Sequence, residues 1–270
     1  MKSILITGCS TGIGRCLANG LKQRNYSVIT TARKKEDIEA LKQDGFEAVM
    51  LDLADSDSIQ SAAKIVLEMT NGQLYALINN AAYGLSGAVE DLPVQALRDQ
   101  FETNVIGTQE LTNLFIPAMR KNNEGRIIQI SSVLGFVTMK YRGAYCASKY
   151  ALESLSDAMR YELADTNIKV SLIEPGPIKS EFRNNVVTHF NKVIDKENSV
   201  HVEAYKKMEN QVGKPVPFFL GPEAVLEKVI HALDSNKPKT RYYVTFPTYL
   251  FAFLKRILPG TLIDKILLKV

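Results

Sequence analysis

The order of strand-like and helix-like segments along residues 1–175 predicts an α/β fold built on a doubly wound parallel sheet. Short apolar runs rich in β-branched residues predict six buried strands, at residues 4–7, 27–31, 48–51, 74–79, 126–131 and 169–174. Segments with helical periodicity lie between them, and the clearest are residues 56–69, 94–120 and 143–164. Because parallel strands need crossover connections, this alternation predicts a sheet covered by helices on both faces.

The chain is expected to form a single domain over residues 1–270, since one α/β sheet with two helical layers commonly reaches this length. The alternation ends after Pro175. Residues 181–220 are polar, ambiguous in helical pattern and interrupted by prolines, so we expect a flap over the substrate. Pro222 suits the first turn of a further helix, residues 241–246 predict a last strand, and residues 247–270 form a C-terminal extension.

The composition excludes several classes of protein. A net charge of +4, with the basic residues scattered along the chain, argues against nucleic acid as a partner. Cys9, Cys16 and Cys146 lack CxxC spacing and the histidines lack metal-ligand pairing, so we expect no disulfide framework, no metal site and a cytoplasmic location. The N-terminal apolar run ends in a glycine turn, which favours a first strand over a signal peptide. No run reaches the ~18 to 20 apolar residues of a membrane span.

A glycine-rich turn follows the first predicted strand and opens a helix. Its relevant residues are Gly8, Ser10, Thr11, Gly12, Ile13 and Gly14. Glycines there allow a sharp turn, a close approach to a pyrophosphate and close packing of the helix on the strand, while the amides of the helix N-terminus face an anion. We therefore expect a dinucleotide site of the Rossmann type. On the glycines alone, a tight turn that binds nothing stays open as the alternative.

A second motif supplies candidate catalytic groups. Tyr145 and Lys149 lie one turn apart on one face of a predicted helix. An ammonium beside a phenol favours the phenolate, so the pair suits proton exchange near neutral pH. Ser132 lies thirteen residues before Tyr145, just after the fifth predicted strand, where doubly wound folds bind their ligands. Ser131 competes with Ser132 but lacks this spacing. Each residue alone has an ordinary structural alternative, and their joint order along the chain favours catalysis.

These motifs resemble the short-chain dehydrogenase/reductase family over residues 1–245. The resemblance is carried by the GxxxGxG spacing, the Asn79-Asn80-Ala81-Ala82 turn, the Tyr-x-x-x-Lys pair and the Pro-Gly segment. It implies an oxidoreductase that moves hydride between a nicotinamide and a carbonyl or alcohol carbon. It also implies that Ser132 bonds the substrate oxygen, that Tyr145 exchanges its proton, and that Lys149 holds the nicotinamide ribose. Asn104 matches the asparagine that helps hold a water near the lysine.

The resemblance also implies the remaining cofactor contacts. These are Asp52, Leu53, Asn80, Ala81, Tyr145, Lys149, Pro175, Gly176, Ile178 and Ser180. Ala82 departs from the family's glycine, so we expect a small local adjustment there. Arg33 follows the second strand, where members that use NAD place an acidic residue against the ribose. Because a guanidinium binds a 2′-phosphate well, we expect NADP(H); the alternative is that Arg33 is an ordinary surface residue.

The exact residues in and around the motifs resemble those of the retinol and 17β-hydroxysteroid dehydrogenase branch and of bacterial NADP-dependent aldehyde reductases. That resemblance implies a small apolar carbonyl or alcohol as substrate, such as an aliphatic or isoprenoid aldehyde, a retinoid or a steroid. Two alternatives are a non-catalytic, NADPH-bound sensor or regulator and an isomerase or epimerase. Intact Ser132, Tyr145 and Lys149 count against the first, and Arg33 with the short C-terminal region counts against the second.

The outer surfaces suggest partners. Residues 249–258 mix apolar and basic side chains as an interfacial helix does, so peripheral membrane contact is one interpretation. We favour packing of this segment on the chain's own core or on a partner subunit. The long helices at 94–120 and 143–164 favour a homodimer, with a homotetramer as the alternative. Cys146 beside the tyrosine is either redox-sensitive or a small structural residue, and we favour the second.

Overall fold

The structure is a computed structural model that describes residues 1–210, 214 and 217–269. Its strands are β1 Ser3–Ile6, β2 Ser27–Ala32, β3 Glu47–Met50, β4 Leu74–Asn79, β5 Gly125–Ile130, β6 Ile168–Glu174 and β7 Arg241–Tyr243. Its α-helices are α1 Gly12–Lys22, α2 Lys35–Gln43, α3 Ser56–Met69, α4 Val94–Phe101, α5 Gly107–Asn122, α6 Gly143–Glu162, α7 Phe182–Val193, α8 Val202–Glu209, α9 Glu223–Asp234, α10 Phe246–Ile257 and α11 Gly260–Leu267.

The predicted α/β fold is confirmed. All pairings in the seven-stranded sheet are parallel, and the strand order is β3-β2-β1-β4-β5-β6-β7. The six strands predicted before residue 175 match β1 to β6 to within two residues. The order reverses between β1 and β4, so the carboxyl ends of these two strands border the crevice in which doubly wound folds bind ligands.

Alternate side chains of the strands fill two separate cores, one on each face of the sheet. On one face, Ile4, Ile6 and Ile78 pack with apolar residues of α1 and α9. On the other face, Leu5 and Leu77 pack with α3, α5 and α6. Since both faces are covered, the strands are mostly apolar, which is why they appear in the sequence as largely apolar runs.

Two predicted boundaries were wrong. The helix predicted at 94–120 is three segments, because a π-helical turn at Glu102–Ile106 separates α4 from α5. A Cβ on Gly107 would lie 1.8 Å from the Leu53 carbonyl oxygen, so the chain passes very close to the loop after β3 at this point. The strand predicted at 241–246 ends at Tyr243, since α10 begins at Phe246 with a proline in its first turn.

The segment 181–220, predicted as a flap, contains α7 and α8 rather than an ambiguous pattern. Residues 211–213, 215 and 216 of this segment lie outside the described residues. A Cβ on Gly84 would lie 2.8 Å from Val186 and 2.9 Å from Phe182 of α7, so this helix packs directly on the loop that follows β4. The segment therefore covers the carboxyl edge of the sheet.

The C-terminal extension forms α10 and α11. Only small residues of α10, Thr248 and Ala252, are buried against the body of the protein. The chain's own core therefore does not bury the large apolar residues of this helix, and the expected alternative, packing on a partner subunit, stays a prediction. Over the described residues, none of the helices has the length and hydropathy to cross a membrane.

Candidate active site

The crevice between β1 and β4 is held by a set of hydrogen bonds between the two strand ends. The Thr7 hydroxyl accepts from the backbone amides of Asn80 and Ala81, each at 2.9 Å. The Asn80 side-chain amide donates to the carbonyl oxygens of Thr7 and Gly8, at 2.9 and 3.0 Å. Asn80 and Ala81, predicted as cofactor contacts, therefore lie against the glycine turn and fix its position.

The glycine turn has the conformation that a phosphate cradle needs. Gly8 and Gly12 have φ of +71° and +58°, which side-chain-bearing residues rarely adopt. A Cβ on Gly14 would lie 2.1 Å from the Gly8 carbonyl oxygen, so only glycine allows α1 to start this close to β1. The side chain of Thr11, the N-cap of α1, makes no capping hydrogen bond, and the first turn has no acidic residue. The helix N-terminus is thus left available to an anion.

A surface cavity of ≈780 Å³ borders this cradle. It is lined by Thr11 and Gly12 on one side and by Ser180 on the other. A Cβ on Gly12 would approach the Ser180 Cβ to 3.1 Å, so the segment after β6 closes over the glycine turn. Ser180, predicted as a cofactor contact, therefore lies beside the predicted pyrophosphate position.

The far end of the crevice is lined by residues that follow β2 and β3. Arg33 is exposed at the end of β2, and no carboxylate pairs with it among the residues that the structure describes. Burial lowers the pKa of His189 on α7, and the nearby Arg33 charge lowers it further. Asp52 caps its own turn by accepting from the Ala54 amide at 3.0 Å, and the Leu53 side chain is buried in the core. Leu53 can therefore contact a cofactor only through its backbone.

Ser132 and Tyr145 meet at the carboxyl end of β5. The Ser132 hydroxyl accepts from the Leu134 amide at 3.1 Å and starts a short 3₁₀ turn. Burial raises the pKa of the Tyr145 phenol, while the adjacent Ser132 hydroxyl acts in the opposite direction. The ring of Phe182 on α7 lies 5.4 Å from the Tyr145 ring, centroid to centroid. Burial also raises the pKa of the Cys146 thiol, which supports the structural interpretation of that cysteine.

Lys149 follows Tyr145 by one helical turn, on the same face of α6. Its ammonium donates to the Ile130 carbonyl oxygen at 2.8 Å and is 5.9 Å from the centre of the Tyr145 ring. Burial lowers the pKa of Lys149 to about 8, and the negative charge of Glu153 one turn further along α6 opposes this decrease. The lysine is thus poised to change charge near neutral pH.

Asn104 lies in the π-helical turn, and its side-chain hydrogen bonds among the described residues go to Tyr83 and Ser148. Its amide nitrogen donates to the Tyr83 carbonyl oxygen at 2.9 Å and to the Ser148 hydroxyl at 3.1 Å, while its oxygen accepts from the Tyr83 amide at 3.1 Å. The expectation that Asn104 helps hold a water near the lysine stays a prediction, and Ser148, which its side chain contacts, is the neighbour of Lys149 in the chain. In this structure Asn104 joins the loop after β4 to α6, and π-helical turns of this kind are frequent at functional sites.

The segment after β6 has the geometry predicted for a carboxamide site. The Pro175 carbonyl oxygen accepts from the Val133 amide at 2.8 Å, next to Ser132. A Cβ on Gly176 would lie 2.1 Å from the Thr245 hydroxyl, so this glycine is fixed by the start of α10. Ile178 is bridged to Leu220, but the amide of Ile178 has no backbone partner among the described residues. That amide is available to a ligand.

Sequence reasoning missed a buried charged cluster behind Lys149. Arg241 on β7 is 3.1 Å from a carboxylate oxygen of Glu153 and 3.1 Å from one of Glu174, and 2.6 Å from one of Asp157. The spacing of Lys149, Glu153 and Asp157, each one helical turn from the last, is a signal that could have placed the acids on one face of α6. Ser131 lies on this side as well, since its hydroxyl opposes the burial-driven rise in the pKa of Glu153.

Residues 2–190 match the family model for short chain dehydrogenases. The chain belongs to this family. An uncharacterized oxidoreductase of Escherichia coli, YbbO, is 44% identical over 98% of this chain and 94% of its own length. An NADPH-dependent 3-dehydrocapnine reductase of Ornithobacterium rhinotracheale is 30% identical over 100% of this chain and 97% of its own. Human retinol dehydrogenase 8 is 30% identical over 89% of this chain and 80% of its own. The resemblance to the retinol dehydrogenase branch is confirmed.

Solved short-chain dehydrogenases share the fold. A serine dehydrogenase complexed with NADP⁺ has a TM-score of 0.77 and 25% identity over 91% of this chain and 95% of that one. A protein from Burkholderia phymatum with the same TM-score of 0.77 was solved in complex with NAD. Both dinucleotides thus occur on this fold, so the fold alone does not distinguish between them.

Proposed function

We propose that this short-chain dehydrogenase is an NADP(H)-dependent enzyme that interconverts apolar carbonyl compounds and their alcohols, chiefly as a reductase. The observation that carries the proposal is the meeting of Ser132, Tyr145 and Lys149 at the carboxyl edge of the sheet, beside an uncapped helix N-terminus. A sensor without turnover would not need this set of groups.

The cofactor, when bound, supplies or accepts the hydride. The substrate oxygen lies between Ser132 and Tyr145 in this proposal: the serine hydroxyl hydrogen-bonds the oxygen and the phenol donates a proton to it. Burial raises the pKa of Tyr145, so the phenol is protonated in the unliganded protein. A protonated tyrosine is the form that can donate a proton to the substrate oxygen in the reduction step.

Lys149 restores the proton of Tyr145 and holds the nicotinamide ribose in this proposal. Because burial lowers its pKa to about 8, Lys149 holds a proton that it can give to the site at neutral pH. At higher pH its amine becomes neutral. Asn104 acts as a positioning residue that fixes the loop after β4 to α6. Asp52, Asn80, Pro175 and Ile178 hold other parts of the dinucleotide.

The preference for NADP(H) rests on Arg33. Among the described residues no carboxylate pairs with the Arg33 guanidinium after β2, which favours a 2′-phosphate and leaves the ribose hydroxyl of NAD without the carboxylate that usually accepts from it. The NADPH-dependent reductase that aligns with the whole of this chain supports the same preference.

An apolar substrate is supported by what covers the tyrosine. Phe182 packs on Tyr145, and Tyr83 stacks on His189 of α7 with ring centres 4.6 Å apart. A substrate entering beneath α7 would thus meet the aromatic ring of Phe182 beside Tyr145. Retinol dehydrogenase 8, named for an apolar alcohol, is among the relatives, and aliphatic aldehydes, retinoids and steroids are the classes to test.

The test measures loss of reduced-nicotinamide absorbance with NADPH and with NADH against short, long-chain, aromatic and retinoid aldehydes and steroid ketones. Turnover with NADPH and an apolar carbonyl supports the proposal. Tyr145→Phe should remove turnover, by roughly a hundredfold or more, while NADPH binding measured by fluorescence stays within about twofold, because the phenol proton is needed only in the reaction. Turnover of this variant equal to that of the unaltered protein, or NADPH binding without any turnover across the panel, would contradict it.

We also propose a homodimer in the cytoplasm. Leu97, Ile106 and Leu155 are exposed apolar residues on α4, the π-helical turn and α6, and they support a subunit contact there. Free Cys9, Cys16 and Cys146 suit a reducing compartment. Light scattering at several concentrations would test the dimer, and a tetramer is the other outcome to look for.

A further inference from the structure

Helix α10 carries its apolar face outward. Phe246, Tyr249, Leu250, Phe253 and Ile257 recur at the spacing of one helical face, and each is exposed, with Phe253 at 60%. Thr248 and Ala252 on the opposite face are the residues buried against the protein. A helix of a soluble domain usually turns its large apolar side chains inward, so this arrangement implies that something else covers them.

Neighbouring segments extend the same surface, which we call the C-terminal apolar face. In the part of the chain that the structure describes, ten of the 22 exposed large hydrophobic side chains belong to it. They are Phe218, Phe219, Leu220, Phe246, Tyr249, Leu250, Phe253, Ile257, Leu262 and Leu268. The Phe218 and Phe246 rings lie 5.0 Å apart, so the end of the flap and the start of α10 form a continuous surface. None of the residues of α11 is buried, although the helix is amphipathic.

The charged residues around this face indicate what kind of partner covers it. Residues 246–269 contain Lys255, Arg256, Lys265 and Lys269 but a single acidic residue, Asp264. Lys255 is fixed to the body of the protein by donation to the Phe136 carbonyl oxygen, and the Arg183 guanidinium lies 5.8 Å from the Phe219 ring. A two-fold contact between copies would bring these like charges together, because each copy presents the same patch. An anionic lipid surface satisfies both the apolar side chains and the cations.

We propose that the C-terminal apolar face docks the protein on the surface of an anionic lipid bilayer. The face adjoins the candidate active site: Leu220 pairs with the segment after β6, and Thr245 fixes Gly176. Docking therefore places the end of the flap, beside the candidate active site, at the membrane surface. An apolar carbonyl compound dissolved in the lipid can enter the site there. This last step rests on the proposed function, whereas docking itself rests on the exposed residues alone.

The test is cosedimentation of the full-length protein with vesicles of phosphatidylcholine alone and of phosphatidylcholine mixed with phosphatidylserine. The protein should sediment with the mixed vesicles and less with the neutral ones. Phe253→Ser should weaken binding at least tenfold, because a phenylalanine is withdrawn from lipid. Tyr161→Ser is the matched control, since Tyr161 is 67% exposed on α6, outside the face, and should leave binding unchanged. Arg256→Gln should weaken binding to the mixed vesicles about fivefold.

The outcomes separate this proposal from the proposed function. Failure of the protein to sediment with either vesicle, or equal binding by Phe253→Ser and Tyr161→Ser, would overturn docking. Light scattering could instead show that the full-length protein is a dimer that does not bind vesicles and that Phe253→Ser dissociates it. That result would assign the face to a second copy and would also overturn docking. Binding to vesicles without turnover of any carbonyl would leave docking supported and reject the reductase, because sedimentation does not depend on activity.

Discussion

Replacing Arg241 by methionine tests the role of the buried charged cluster. Arg241 is the cation shared by Glu153, Asp157 and Glu174, whose side chains are 9%, 28% and 0% exposed. Methionine fills much of the same space without charge, so the two most buried carboxyls lose their partner. Removing one member of a buried ion pair costs about 3 to 5 kcal/mol, and we expect the free energy of unfolding to fall by that amount at about pH 9, where the buried carboxyls ionise.

The loss should depend on pH, with a sign that the pKa shifts determine. Burial and the neighbouring Glu153 raise the pKa of Glu174 to about 9, although Arg241 opposes the rise. A carboxyl with a raised folded pKa stabilises the fold below its unfolded pKa, and this contribution is lost as pH rises through the folded pKa. Removing Arg241 raises the folded pKa further, so the variant should lose less stability at about pH 5, where Glu174 is protonated with or without Arg241, than at about pH 9.

The assay is urea unfolding followed by circular dichroism at these two values of pH. Arg160→Met is the matched control: Arg160 pairs only with Asp157 in the described structure, and both side chains are more than a quarter exposed. Such a pair contributes less than about 1 kcal/mol, with little dependence on pH. A deficit for Arg241→Met that is no larger than that of the control, or equal at the two values of pH, would refute the assignment of a buried charged cluster.

Three further predictions concern the site. Arg33→Ala should weaken NADPH binding by about 10-fold to 150-fold, the loss of one charge-assisted contact, and leave NADH within about twofold; fluorescence titration that shows equal losses would disprove a 2′-phosphate site. Gly12→Ala should weaken NADPH binding at least tenfold because φ is +58° and the new Cβ lies 3.1 Å from Ser180, whereas Gly72→Ala, at φ +72° with open space, should carry only the backbone strain and bind normally. Reductase turnover should decline as pH rises through about 8, where Lys149 loses its proton, and Glu153→Gln should move the decline to lower pH; a flat pH profile would contradict the relay.

The catalytic and cofactor residues could be proposed from the sequence because their chemistry depends on local spacing. Tyr145 and Lys149 share a helical face by their four-residue separation, and the glycines of the first turn need no distant partner to show their purpose. The six apolar runs up to Glu174 also predicted their strands well, since strands buried on both faces are mostly apolar. For the same reason the family could be named before any coordinates.

Other features were decided by contacts between distant segments, which no local pattern records. Tertiary contacts place the Asn104 side chain between Tyr83 and Ser148, which the sequence pattern does not show. Arg241 reaches Glu174 and Glu153 only because β7 is placed beside β6. The sequence by itself determined a Rossmann-type sheet, its nucleotide turn and its catalytic motif, since these follow from periodicity and spacing. The tertiary structure decided which face of α10 is turned outward, because amphipathic periodicity shows that a helix has an apolar face but not what that face meets.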